Sequence, residues 1–218
     1  FSHIGCLVIC EKPLSMTKKE FQKTLAVIEP SPNTLLVNYS REFSGFYRGL
    51  KAKVRENKFG VLKNVVVRYG KGLLHNGSHA IHLLNFLVGP ISVVSVFERI
   101  DDYTPGDPTR SFLGDLDGAP VIFLGHDCEN FEVFDIEMYF SAGRISFSDG
   151  GNSVTCYSIG EDNLYGETVL VPSLSVTNAL SDSLLNLWKF AFQFERKHEQ
   201  GVVFKEAQDT WRNIYDVI

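Results

Sequence analysis

The chain has 218 residues, 44% hydrophobic and 12% aromatic, enough apolar mass to bury a substantial core and too much for a disordered chain. Its 21 basic and 26 acidic residues give a formal charge of -5, with the two signs interspersed along the sequence, so it lacks the basic face of a nucleic-acid binder. The most apolar stretch, from Ala80 to Phe97, is broken by His82, Asn85, Gly89, Pro90, Ser92 and Ser95. A membrane span needs about 20 predominantly apolar residues, so none is read here.

Taken in chain order, Gly5 to Cys10 is a short apolar run that ends abruptly at Glu11-Lys12-Pro13, as a buried strand does when it delivers polar residues at its carboxyl end. Cys6 and Cys10 would lie roughly 13 Å apart on such a strand, beyond disulfide reach. With no CxxC spacing, all four cysteines read as free thiols, which suits a reducing cytoplasm. Thr17 with Glu20 forms a capping box, and Phe21, Leu25 and Ile28 follow at helical spacing until Pro30 and Pro32 stop the helix. Leu35 to Tyr39 returns to strand. This strand, helix, strand order is one crossover unit of a parallel sheet. The chain opens at Phe1 without a signal-peptide pattern and reads as beginning in mid-fold.

From Phe43 the pattern changes. A helix is predicted from about Phe46 to Asn57, ending at Gly60, then a strand from Val61 to Tyr69. A second helix is predicted from about Gly77 to Val88, with Asn76 or Ser78 as its cap and Gly89-Pro90 as its stop. Ile91 to Ile100 reads as a strand, and the Asp-, Gly-, Pro- and Thr-rich stretch Asp101 to Asp117 as a surface loop with one short strand. Val121 to Gly125, Phe131 to Phe140 and Ile145 to Ser148 are β-rich, with turns at Ser141 to Arg144 and Asp149 to Asn152, giving an antiparallel sheet. A helix from about Val176 to His198 carries Leu184, Leu187, Trp188, Ala191 and Phe194 on one face, suited to cover that sheet. Phe204 to Ile218 reads as a closing helix. The fold class is therefore α+β, a largely antiparallel open sheet with helices on one face and the other face free for a partner, preceded by a piece of a doubly wound domain.

Three places can carry chemistry: Glu11-Lys12-Pro13, Tyr39-Ser40-Arg41, and the run His75-Asn76-Gly77-Ser78-His79-Ala80-Ile81-His82. A lysine at a strand carboxyl end can hold a substrate oxygen and stabilise developing negative charge. His79 falls near a predicted helix start, where the dipole favours the neutral imidazole that a general base requires. The spacing of His75, His79 and His82 also allows a three-histidine metal site, but a polar helix face lining a substrate pocket explains it as well and is the stronger reading.

Glu11-Lys12-Pro13, Arg41 and Gly77-x-His79, in this order and spacing, resemble the glucose-fructose oxidoreductase, inositol dehydrogenase and MocA family over essentially the whole chain. The resemblance implies that residues 1–40 are the tail of a dinucleotide-binding domain and residues 41–218 a substrate and oligomerisation domain. It further implies an NAD- or NADP-dependent dehydrogenase of sugars or sugar derivatives, forming a dimer or tetramer through the open sheet. Lys12 would contact substrate and nicotinamide ribose, Glu11 and Pro13 would shape the cofactor side with a cis bond before Pro13, and His79 would be the base. Arg41, His75, Asn76 and His82 would line the substrate pocket. The family's Asp-x-Gly-x-His-x-x-Asp pattern stands here with His75 and His82 in place of both aspartates, which implies an altered substrate preference. No Gly-x-Gly-x-x-Gly follows a strand, so the phosphate-cradling turn is expected upstream and this piece alone is not expected to turn over. Two rival readings are a non-catalytic sugar- or protein-binding module, and a metal enzyme using the three histidines.

Overall fold

The computed structural model describes residues 7–30, 34–161 and 166–197, together with Thr210, Ile214, Tyr215 and Val217. Strand β1 (Leu7–Cys10), helix α1 (Lys18–Ile28) and strand β2 (Thr34–Val37) form the expected crossover unit, with β1 and β2 parallel and Leu7 opposite Thr34. Thr17 caps α1 by accepting the Glu20 amide at 3.2 Å. The Glu20 carboxylate accepts in return from the amide of Met16 at 3.1 Å, one residue before the position that a capping box ordinarily uses. All of β2 is buried, but Val8 and Ile9 of β1 are 40% and 38% exposed, so the expectation of a fully buried first strand is corrected. Among the described residues β2 is the only partner that β1 has.

A 3-10 turn (Ser40–Phe43) leads into α2 (Gly45–Arg55), which Ser44 caps. Next come β3 (Leu62–Tyr69), a π-helical turn (Gly72–Gly77) continuous with α3 (Ser78–Leu87), and the strands β4 (Ile91–Thr104), β5 (Asp107–Leu116), β6 (Ala119–Gly125), β7 (Phe134–Phe140), β8 (Gly143–Ser148), β9 (Ser153–Glu161) and β10 (Thr168–Val176). They form one eight-stranded sheet in the order β10-β9-β8-β7-β3-β6-β5-β4. Every pairing is antiparallel except β3 with β6. β3 lies in the middle, and its alternation buries Val65, Val67 and Tyr69 toward the core. There they belong to the same cluster as Phe112, Phe123 and Met138 of the sheet and Ile81 and Leu84 of α3.

Two expectations for this half of the chain fail. The stretch predicted as a surface loop, Asp101 to Asp117, is instead the end of β4, a turn at Pro105-Gly106, and β5, an inner strand whose Phe112 and Leu116 are fully buried. Its loop-like composition misleads because Asp107, Thr109 and Ser111 are buried with their side chains hydrogen-bonded inside the fold. The long helix is α4 (Ser183–Lys197), which begins seven residues after the predicted Val176, a residue of β10. It does not cover the sheet as expected. Leu187 packs with Leu36 and Phe43 near the small parallel sheet, while Leu184 and Trp188 are 62% and 54% exposed.

Strands β9 and β10 extend the sheet beyond the last predicted strand. Phe194 and Cys6 lie outside the described side chains, as does most of the predicted closing helix; its described residues are helical and buried, and the Tyr215 hydroxyl meets Ser15 Oγ at 2.7 Å. Cys10, Cys128 and Cys156 are free thiols. Among the described residues no helix is long and apolar enough to cross a membrane.

Candidate functional site

The polar residues after β1 and β2 meet the π-helical turn before α3. Just past the two parallel strands, Asn38 Nδ2 donates to Glu11 Oε1 at 2.8 Å, and the Lys12–Pro13 bond is cis. Lys12 Nζ donates to the His75 carbonyl at 2.8 Å and stands 3.3 Å from His75 Nδ1, a contact between residues 63 apart in sequence. Burial, then the positive charge of Arg41, lowers the Lys12 pKa, while the carboxylates of Asp107 and Glu11 oppose the shift. Burial, then Lys12 and Lys71, likewise lowers that of His75.

The helix that carries the histidines does not start where the sequence suggested. Neither Asn76 nor Ser78 caps it: Gly77 is itself helical, and Ser78 Oγ donates back to the Leu74 carbonyl at 2.7 Å. The true start is Gly72, whose amide donates to Thr109 Oγ1 at 2.8 Å, while those of Leu74 and His75 donate to Asp107 Oδ1 and Oδ2 at 2.7 and 3.0 Å. The cap thus comes from β5. His79 lies beyond the first turn, so the dipole does not account for its neutrality. Burial does so first, followed by the charges of Arg41 and Lys12 and then by His82 and His75, which together hold it well below 6.5.

His79 is the one residue of α3 that is not fully buried. Its Nδ1 is enclosed and, among the described residues, unpartnered. The ring stands edge-on to Tyr39 at 5.7 Å. His82, predicted to line a pocket, is 1% exposed; it stacks on Tyr39 at 4.0 Å and its Nε2 lies 3.1 Å from Glu42 Oε2, too far off line for a hydrogen bond. Arg41 is also buried: its guanidinium donates to the Gly150 carbonyl and lies 4.9 Å from the Phe134 ring. It therefore acts on Lys12 and His79 through its charge. Asn76 sits half-buried on the π-helical turn beside His75. The three histidines face different neighbours, and among the described residues no three His, Cys, Asp or Glu side chains converge to hold a metal ion.

Sequence reasoning missed the support of this turn. Asp102 accepts from the Lys71 amide at 2.8 Å and from Thr109 Oγ1 at 2.7 Å, tying β4 and β5 to the helix start. Lys71 and Gly72 have φ of 61° and 79°, and a Cβ at Gly72 would come within 2.7 Å of the Asp107 carbonyl oxygen, so glycine is required there. The Tyr103 ring, from the end of β4, lies 4.8 Å from that of His75. The only local signal is Gly72, a residue that tolerates positive φ; the partner strand is hidden in an apparent loop.

No family model matches the chain, and no curated protein matches it in sequence. Solved structures do. An oxidoreductase from Sinorhizobium meliloti superposes with a TM-score of 0.70 at 15% identity, over 98% of this chain and 68% of that one. KijD10, a 3-ketoreductase from Actinomadura kijaniata solved with NADP, gives 0.67 at 15% identity, over 96% and 67%. A dehydrogenase (MviM) from Clostridium difficile gives 0.66 at 13% identity, over 96% and 70%. The chain has the fold of these oxidoreductases. At such identities the likeness is one of fold, and the α+β architecture with its large, mainly antiparallel sheet is shared.

Proposed function

We propose that this chain is the substrate-handling part of an oxidoreductase that moves a hydride between a secondary hydroxyl of a sugar or sugar derivative and a nicotinamide cofactor, NAD or NADP. The observation that carries this reading is the meeting of Lys12, from the carboxyl end of a parallel strand, with the His75–His79 helix. Strand carboxyl ends of open parallel sheets are where dinucleotides bind. In this reading residues 1–40 are the tail of the dinucleotide-binding domain and residues 41–218 the substrate domain.

The donor set fits a nicotinamide and its substrate: a half-buried ammonium, a carboxylate held by Asn38, and a part-buried imidazole. Glu11, Lys12 and Pro13 would border the cofactor, which when bound would accept or supply the hydride. His79 is kept neutral by burial and by cationic neighbours, so its imidazole can take the proton of the substrate hydroxyl. The Lys12 ammonium stabilises the negative charge that develops on that oxygen. His75 and Asn76 border the substrate, and Arg41 and His82 support the pocket from beneath. The exposed apolar side chains Val94, Phe97, Leu113 and Ile159 on the strands suit a dimer or tetramer formed through the sheet, in a reducing cytoplasm that keeps the thiols free.

The test is turnover of a sugar panel by the full-length parent with His79→Ala and Lys12→Ala, beside isothermal titration of NADH into parent and chain. His79→Ala is expected to lower kcat by about 10²- to 10⁴-fold, the range for loss of a general base. Full activity in that variant would defeat the assignment. A non-catalytic sugar-binding module is the second reading, favoured by the enclosure of His82 against Glu42. Sugar binding without cofactor or turnover would establish it.

A further inference from the structure

The helix positions that carry His75 and His82 hold no acid, yet a carboxylate reaches this turn from elsewhere. Asp107 is 4% exposed at the start of β5, and its two oxygens accept separately from the Leu74 and His75 amides. The carbonyl of His75, whose amide one Asp107 oxygen grips, is the group that receives Lys12 Nζ. Thr109, two residues further along the same strand, holds Gly72, and Asp102 from β4 holds both Thr109 and Lys71. The glycine at 72 leaves the Asp107 side chain room to close on the turn. We propose that Asp107 is the positioning residue of this site, fixing the π-helical turn so that the His75 carbonyl and Nδ1 hold the Lys12 ammonium in place.

A mere helix cap would fill orphan amides and do nothing more. Asp107 does two further things here. It sets the direction of the one carbonyl that receives Lys12, and its negative charge favours the charged form of Lys12 against burial and against Arg41. The groups that face it are Asp102 from β4, the Tyr69 hydroxyl from β3, His75 from the turn and Lys12 from beyond β1. Lys12 and His75 are therefore predicted to respond together when Asp107 loses its charge.

The inference rests on the proposed function only in calling this place a substrate site; the coupling itself is measurable without turnover. In the 218-residue chain carrying ¹³C-methylated lysines, Lys12 is followed by NMR through its titration, with its resonance assigned by Lys12→Arg. Asp107→Asn removes the charge and turns an amide group toward one backbone N–H. It is expected to lower the pH at which Lys12 titrates and to shift the Leu74 and His75 amide resonances, with the far-sheet resonances of β8 and β9 unmoved. A folded Asp107→Asn chain with Lys12 titrating as before would overturn the proposal.

Should that variant not fold, the unaltered chain provides the same reading. As pH falls, the Asp107 carboxyl is followed directly beside that of Asp102. The Leu74, His75 and Lys12 signals are expected to move with the Asp107 midpoint, and movement with Asp102 alone would refute the assignment. In the full-length parent, Asp107→Asn is expected to lower kcat by at least about tenfold, with a smaller change in KM and a shifted pH profile. Coupling seen by NMR in a parent that turns over no sugar would refute the proposed function and leave the positioning of Lys12 intact.

Discussion

His79 shows how a single residue is set by its surroundings. Largely enclosed, edge-on to Tyr39 and among cationic groups, it is held well below the 6.5 at which it would titrate in the unfolded chain. Between those two values the unfolded chain binds the extra proton, so stability is fully present above about 6.5 and falls as pH falls below it. One such group contributes a slope of at most about 1.4 kcal/mol per pH unit. His79→Gln is expected to flatten the fall between about pH 6.5 and 5, as measured by urea denaturation of both chains at a series of pH values. Equal slopes in the two chains would mean that His79 is free to protonate in the fold. Lys12 was legible as a candidate from its place after an apolar run, but its partner was not, because nothing local marks a carbonyl 63 residues away.

At the scale of elements, local patterns proved reliable where the interactions are local. The Thr17 cap, the helix after it and the alternation of β3 follow from spacing of three, four and two residues. Helix α4 was misread because its apolar residues are not all buried: Leu187 is enclosed with Leu36 and Phe43, while Leu184 and Trp188 face outward. Leu187→Ala is therefore expected to cost about 2–5 kcal/mol, and Trp188→Ala in this chain no more than about 0.5 kcal/mol, by thermal or urea unfolding. A large loss from Trp188→Ala would show that the outer face of α4 is covered in solution. The strand β5 was misread for the opposite reason. Its Asp107, Thr109 and Ser111 have the composition of a loop, and only the register against β4 places them where they are needed.

The molecule as a whole presents a large sheet with α2 and α3 in the core cluster against it and exposed Val94, Phe97, Leu113 and Ile159 on its strands. These exposed apolar side chains lie near both edges of the sheet and suit its burial in an assembly. The chain is expected to sediment above its monomer mass of 24.5 kDa, and the double variant Val94→Lys, Ile159→Lys to sediment at it. A wild-type chain that sediments as a monomer would set aside the sheet as an assembly surface. The sequence by itself determined the α+β class, the parallel crossover unit and most strands of the sheet, because periodicity, caps and turn residues act over a few positions. Only the tertiary structure decided that His82 and Arg41 are buried, that the helix begins at Gly72, and that Asp107 stands behind His75 and Lys12. Those outcomes depend on strand register and on contacts between distant segments, and such contacts leave no mark in the spacing of neighbouring residues.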